Sequence, residues 1–160
     1  MYVAAPSPAG LVRRARAADA AAVASLYAAL VANPALDVQA AQLAALATDP
    51  RGALFVFEQA GGVLGTVLVG LCADAMFGGR PFAVVENIVV AEAARGRGVG
   101  AALLREVERF CAAADCSKIM LLSASRRADA HAFLERRGYD GSAKRGFVKY
   151  RAAFDAGAPR

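Results

Sequence analysis

Apolar residues change their spacing several times along the chain, and each change marks an element. Leu11 to Ala15 suits a short strand. Val23, Leu26, Leu30 and Val31 then recur at helical spacing behind Asp19, a side chain suited to an N-cap, until Asn33-Pro34 stops the run. A second helical stretch carries Leu36, Leu43 and Leu46 and ends near Asp49-Pro50. ALFVFEQ and VLGTVLVGLCA, joined through Gly61-Gly62, predict the two antiparallel strands of a hairpin. After a turn at Gly78-Gly79-Arg80-Pro81 comes FAVVENIVV, apolar except for Glu86-Asn87 and so expected at the centre of a sheet.

From Gly98 to Ala114 the positions Val99, Leu103, Val107, Phe110, Cys111 and Ala114 predict one apolar helix face, with Arg105, Glu106, Glu108 and Arg109 opposite. SKIMLLSAS reads as a strand covered on both faces, which completes a strand-helix-strand crossover and implies a parallel pair. Asp129 to Arg137 reads as a short helix closed by Gly138, Gly146 to Arg151 as a last strand, and AGAPR as a frayed end.

Composition narrows the class. At 160 residues the chain suits one domain, with its core over about 11–151. Its hydrophobic content of 58% includes 41 alanines, so much of that figure reports helix preference and not burial. No uncharged apolar run approaches the roughly 20 residues of a membrane span, and MYVAAPSPAG lacks a basic leader, so a cytoplasmic protein is expected. Cys72, Cys111 and Cys116 lack a CxxC spacing, and one histidine cannot complete a zinc site, so buried reduced thiols and no metal are expected. The net charge of +5 is unevenly placed. Residues 1–94 hold five Lys/Arg against seven Asp/Glu, and residues 95–160 hold fourteen against seven.

That basic half begins at the most informative segment, Arg95-Gly96-Arg97-Gly98-Val99-Gly100, between the third β run and the amphipathic helix. Glycines allow a ligand close to the backbone, and amides at a helix N-terminus bind anions. A phosphate suits such a turn, with Arg95 and Arg97 adding attraction. Gly96-x-Gly98-x-x-Ala101 formally matches a dinucleotide fingerprint, but AEAA and Arg95 intervene after Val90, and Asp115 precedes the next strand where the fingerprint needs an acid at its end. No GK[ST] follows the glycines, so a P-loop is excluded. The pairs Arg126-Arg127, Arg136-Arg137 and Lys144-Arg145 have few interleaved aromatics and no recognition motif, which argues against a nucleic-acid partner.

Arg95, Gly98 and Gly100 fill the R/Q-x-x-G-x-G/A signature of the GNAT acyltransferases, which the chain resembles from about Leu11 to Tyr150. AHAFLERRGY resembles the family's later A-x-x-F/L-Y-E-x-x-G-F/Y block, in the right order and about 30 residues on. The resemblance implies a mixed α/β fold: a central splayed, mostly antiparallel sheet with one parallel strand pair and helices on both faces. It also implies acetyl-CoA as cosubstrate, an amine acceptor, and the homodimers common in the family. The pyrophosphate is expected on the amides of Gly96 to Ala101, including Val99, and the pantetheine arm beside Ile88, Val89 and Val90. Arg127 stands where the family usually has an Asn against that arm.

Acyl transfer to an amine needs a base for the departing proton, and Glu86 interrupts its apolar strand where many relatives place an acid, acting directly or through water. Where the family usually has a tyrosine general acid, this chain has Leu134; Tyr139 is the nearest alternative hydroxyl. Thiolate is a tolerable leaving group, with a thiol pKa near 8.5. Tyr27 and Asn33 lie in the helical region that often walls the acceptor site in relatives, and each equally suits a core or capping role. A second reading keeps the fold but makes it a catalytically weak acyl-CoA-binding or regulatory module.

Overall fold

The computed structural model describes residues 9–155 as two compact units divided after Leu121. The N-terminal residues before Ala9, where no leader was expected, and the AGAPR tail, expected to be frayed, lie outside the described residues. The first unit holds a five-stranded sheet of β1 (Leu11–Arg14), β2 (Gly52–Gln59), β3 (Gly62–Cys72), β4 (Phe82–Val90) and β5 (Ile119–Leu121). Spatial order follows chain order; neighbours are antiparallel except β4 and β5, which are parallel. Helices α1 (Ala20–Leu30), α2 (Ala40–Thr48) and α3 (Val99–Ala113) complete the unit, and α3 links the parallel pair. This is the mixed α/β arrangement expected from the sequence.

The sheet separates two cores because strand side chains alternate. From β2, Ala53, Phe55 and Phe57 enter the core beneath α3, whereas Leu54 and Val56 join Val23 of α1 and Leu43 of α2 on the other face. Being covered twice, β2 is an almost unbroken apolar run. The predicted stripe of α3 is correct: Val99, Leu103, Val107 and Cys111 are buried against the sheet. Each large side chain so buried contributes roughly 1.5–3 kcal/mol, enough for this stripe to anchor the helix.

Several details depart from the sequence reading. The hairpin turns through Ala60 and Gly61, both at positive φ, so Gly62 already belongs to β3. Leu36 falls in the α1–α2 connection, because α2 begins at Ala40. β5 is three residues long instead of the run from Ser117 to Ser125, and its side chains are half-buried. Its ladder stops at Val85–Leu121, just before β4 acquires an extra residue and bends away. Of the three thiols, all free, Cys111 alone is buried; Cys72 and Cys116 are half-exposed. Burial and the neighbouring Cys116 push the Cys111 thiol up to about 12. Among the described residues no helix is long and apolar enough to cross a membrane.

The second unit contains α4 (Ala128–Glu135), as expected, and α5 (Arg151–Asp155). The last strand expected over 146–151 is not formed. Phe147, Val148 and Tyr150 are exposed there, since no other strand lies among the described residues of that unit to satisfy the backbone of so short a run.

Asp19 occupies the N-cap position of α1, but its carboxylate turns back instead of capping that helix. Its oxygens accept from the Arg13 guanidinium at 2.7 and 2.9 Å and from the Arg16 amide at 2.7 Å; Arg13 also donates to Glu58 at 2.6 Å. This bidentate clamp ties the start of α1 to β1 and β2. Arg14, the next residue of β1, donates to the carbonyls of Leu46 and Gly52, each at 2.9 Å, and so fixes the end of α2. Asp19→Asn is expected to cost about 3 kcal/mol, because it leaves a largely buried guanidinium short of charge compensation. Urea unfolding would show a lower midpoint with an unchanged slope. The Arg13 hydrogen bonds hold the Asp19 carboxyl below its ordinary 3.8. The associated stability is therefore complete above about pH 4 and lost as pH falls through the lowered value, so the variant should show a flatter acid limb in stability against pH.

Candidate active site

The site is organised around an irregularity in β4. Leu68 of β3 stands opposite Glu86 and Thr66 opposite Val89, so β4 carries one residue more than its partner across this step. Asn87, at φ 53°, accommodates the bulge in the left-handed region that asparagine tolerates better than most side chains. The extra residue reverses the parity of the strand. Ala83 and Val85 face the α3 core before it, and Ile88 and Val90 face that same core after it. Glu86, half-buried, thus shares the α1 face with its partner Leu68, and its carboxylate enters no ion pair or hydrogen bond among the described residues.

Beyond Val85 the outer edge of β4 has no ladder partner among the described residues, whereas its inner edge stays paired to β3 as far as Val90. An extended ligand with amide groups can add to such an edge by main-chain hydrogen bonds. Ile88, Val89 and Val90 lie along it, Val89 buried and the other two half-buried.

The glycine turn follows the end of this edge. Gly96 and Gly98 have φ of 72° and 84°, and Gly98 is the N-cap of α3, its carbonyl accepting from the Ala102 amide at 3.0 Å. Among the described residues no side chain caps the helix, so the amides of Val99, Gly100 and Ala101 carry the positive end of its dipole. Val99 and Ala101 bury their side chains, leaving the turn to present backbone. A Cβ on Gly96 would meet nothing within 4 Å, so its need for glycine is conformational. Both arginines are exposed: Arg95 Nε donates to the Val90 carbonyl at 3.2 Å, and Arg97 reaches Gln59 Oε1 at 3.4 Å. The donor set fits a polyphosphate, with amides at close range and two guanidinium groups around them.

On the α1 side, a cavity of about 360 Å³ is lined by Tyr27, Asn33, Asp37 and Asn87, with Leu36 and Val38 among its apolar walls. It brings together the two expected acceptor-side residues, Tyr27 and Asn33, and adds two that sequence reasoning missed. Asn87 had a visible signal, a second polar residue in an apolar strand; Asp37 had none, because its place depends on the α1–α2 connection. Asn33 Oδ1 accepts from the Ala35 amide at 3.0 Å and shapes that connection. Burial pushes the Tyr27 phenol above its ordinary value, partly offset by the Asn87 side chain beside it, so the hydroxyl stays protonated near neutrality.

In the second unit, Arg127 is exposed at the N-cap of α4. Leu134 is buried, and its carbonyl accepts from the Tyr139 amide at 3.2 Å across Gly138, whose φ is 86°. The Tyr139 hydroxyl is buried as well. His131 holds the Ala124 carbonyl at 3.0 Å, a local structural contact.

An unpaired β4 edge leading to an uncapped helix start is a geometry this chain shares with known proteins. The family described as "Acetyltransferase (GNAT) family" matches residues 21–139. A putative acetyltransferase from Agrobacterium tumefaciens is 31% identical, with a TM-score of 0.79, covering 88% of this chain and 99% of its own. A glucosamine-6-phosphate N-acetyltransferase from Arabidopsis thaliana (17% identity, TM-score 0.75, 89% and 98% coverage) shares the fold. So does an aminoglycoside N-acetyltransferase solved with CoA (17%, 0.75, 93% and 99%). No curated protein matches the chain. The chain belongs to the GNAT acetyltransferase family.

Gly98→Val places a β-branched residue at φ 84° and disturbs the first amides of α3. CoA affinity measured by calorimetry is expected to fall at least about tenfold, and unchanged affinity in a folded variant would remove the cradle assignment.

Proposed function

We propose that the chain transfers the acetyl group of acetyl-CoA directly to a primary amine in the cytoplasm, the two units acting as one catalytic domain. The observation that carries this reading is the arrangement of β4. Its unpaired outer edge leads to the uncapped start of α3, while Glu86 and the cavity beside Asn87 lie on the α1 side. The family match, which runs across the boundary between the units, supports a single domain.

In this reading the amides of Gly96 to Ala101 hold the pyrophosphate with Arg95 and Arg97, and Ile88 to Val90 align the pantetheine arm. Arg127 holds the sequence position of the Asn that usually contacts the arm in the family. Main-chain groups of β4 polarise the thioester carbonyl. The amine nitrogen bonds to the acetyl carbon as the C–S bond breaks. Its proton passes to Glu86, directly or through water, and CoA leaves as a thiolate that takes a proton from solvent or from an acid, for which Tyr139 is the hydroxyl the sequence offers. With a thiol pKa near 8.5, departure needs little acid assistance, which makes Leu134 compatible with turnover.

Thiol release in the presence of an amine panel tests the proposal. Glu86→Gln is expected to lower kcat by about a hundredfold or more while CoA affinity stays within about twofold. Equal turnover across pH would exclude Glu86 as the base. Leu134 favours the alternative, an acyl-CoA-binding module of low activity. CoA binding without thiol release from any amine would establish that alternative.

A further inference from the structure

The cavity beside Asn87 has a one-sided charge. Among the described residues lining it, Asp37 is the one carboxyl side chain; Tyr27, Asn33 and Asn87 supply hydroxyl and amide groups, and no lysine or arginine takes part. Asp37 Oδ2 accepts from the Gln39 side chain at 2.8 Å, an uncharged partner that leaves the carboxylate's negative charge uncompensated. Three arginines of the first unit are held by partners outside the cavity lining. Arg13 is clamped by Asp19 and Glu58, Arg14 by carbonyls at the end of α2, and Arg80 by Asp115 at 2.9 Å. The wider field agrees: residues 1–94 hold two more acids than bases, whereas the basic excess of the chain begins at the glycine turn.

From this geometry we propose that the cavity selects acceptors carrying a second cationic group, a diamine or a polyamino compound, with Asp37 holding the ammonium that does not react. The inference rests on the transferase reading and names its substrate class. A carboxylate or phosphate on the acceptor would meet the Asp37 charge without a countercation and with two asparagine amides as its best donors, so anionic amines are rejected. A volume near 360 Å³ admits a small molecule of this kind. The two substrates of the enzyme are thereby sorted by charge: polyanionic cofactor to the basic half, cationic acceptor to the acidic half.

The test compares cadaverine, pentylamine and aminovalerate, equal in chain length but carrying a second cation, no second charge and an anion. Thiol release is expected to give cadaverine a kcat/KM about tenfold above pentylamine, with aminovalerate poorest. Asp37→Asn keeps an oxygen for Gln39. It should raise KM for cadaverine about five- to tenfold with little change in kcat, and leave pentylamine unaffected. Equal use of cadaverine and pentylamine by the wild-type chain, preference for aminovalerate, or an equal loss for both amines in the variant would overturn the proposal. Calorimetric titration of the same amines into CoA-saturated protein separates the two levels. Cadaverine preference weakened by Asp37→Asn without any thiol release would uphold the pocket and defeat the transferase reading, whereas no cadaverine preference in binding would defeat the pocket.

Discussion

The extra residue that β4 carries at Asn87 constrains both faces and one edge of the strand. A regular strand would keep all its odd positions beneath α3; the bulge exchanges the faces, so that Ile88 and Val90 seal the α3 core while Glu86 stays on the α1 side. Parallel pairing to β5 ends where this irregularity begins, and the backbone beyond Val85 is left with an outer edge. A continuous β4–β5 ladder would satisfy those groups internally and leave little for a ligand to recognise.

The surrounding packing holds this irregular strand in place. Val99, Leu103 and Val107 pin α3 to the sheet, which aims its first amides past the end of β4. Gly65 of β3 allows that close approach: a Cβ there would come within 3.0 Å of Val99, 3.1 Å of Leu103 and 3.1 Å of the Val89 carbonyl. On the opposite face, the Arg13–Asp19 clamp fixes the start of α1, whose Tyr27 helps to wall the cavity. A largely buried ion pair and a buried apolar stripe thus position the cavity wall and the start of α3 from opposite sides of one sheet.

Much of this was legible in local sequence. The alternation in β2, the stripe of α3 and the glycines before it are short-range patterns, and short-range sterics suffice to read them. The glycine turn at the start of α3 was legible for the same reason, since a helix start and its glycines are contiguous. Asp19 was legible as an N-cap candidate but not in its direction, because Arg13 offers a stronger, charged partner than an α1 amide does. Leu36 and the apolar run after Lys118 misled because their residue types suit a helix or a strand; whether they form one depends on neighbours distant in sequence.

The sequence by itself determined most element types of the first unit, the crossover, the split of charge between the halves and the residue types at Glu86 and the glycine turn. Tertiary structure decided which face Glu86 occupies, where β5 stops pairing, and that Asp37 and Asn87 meet Tyr27 and Asn33 around one cavity. The physical reason is separation along the chain. Periodicity reports the environment of one element, whereas strand register and cavity walls arise when elements up to some 60 residues apart compete for the same partners, as Tyr27 and Asn87 show.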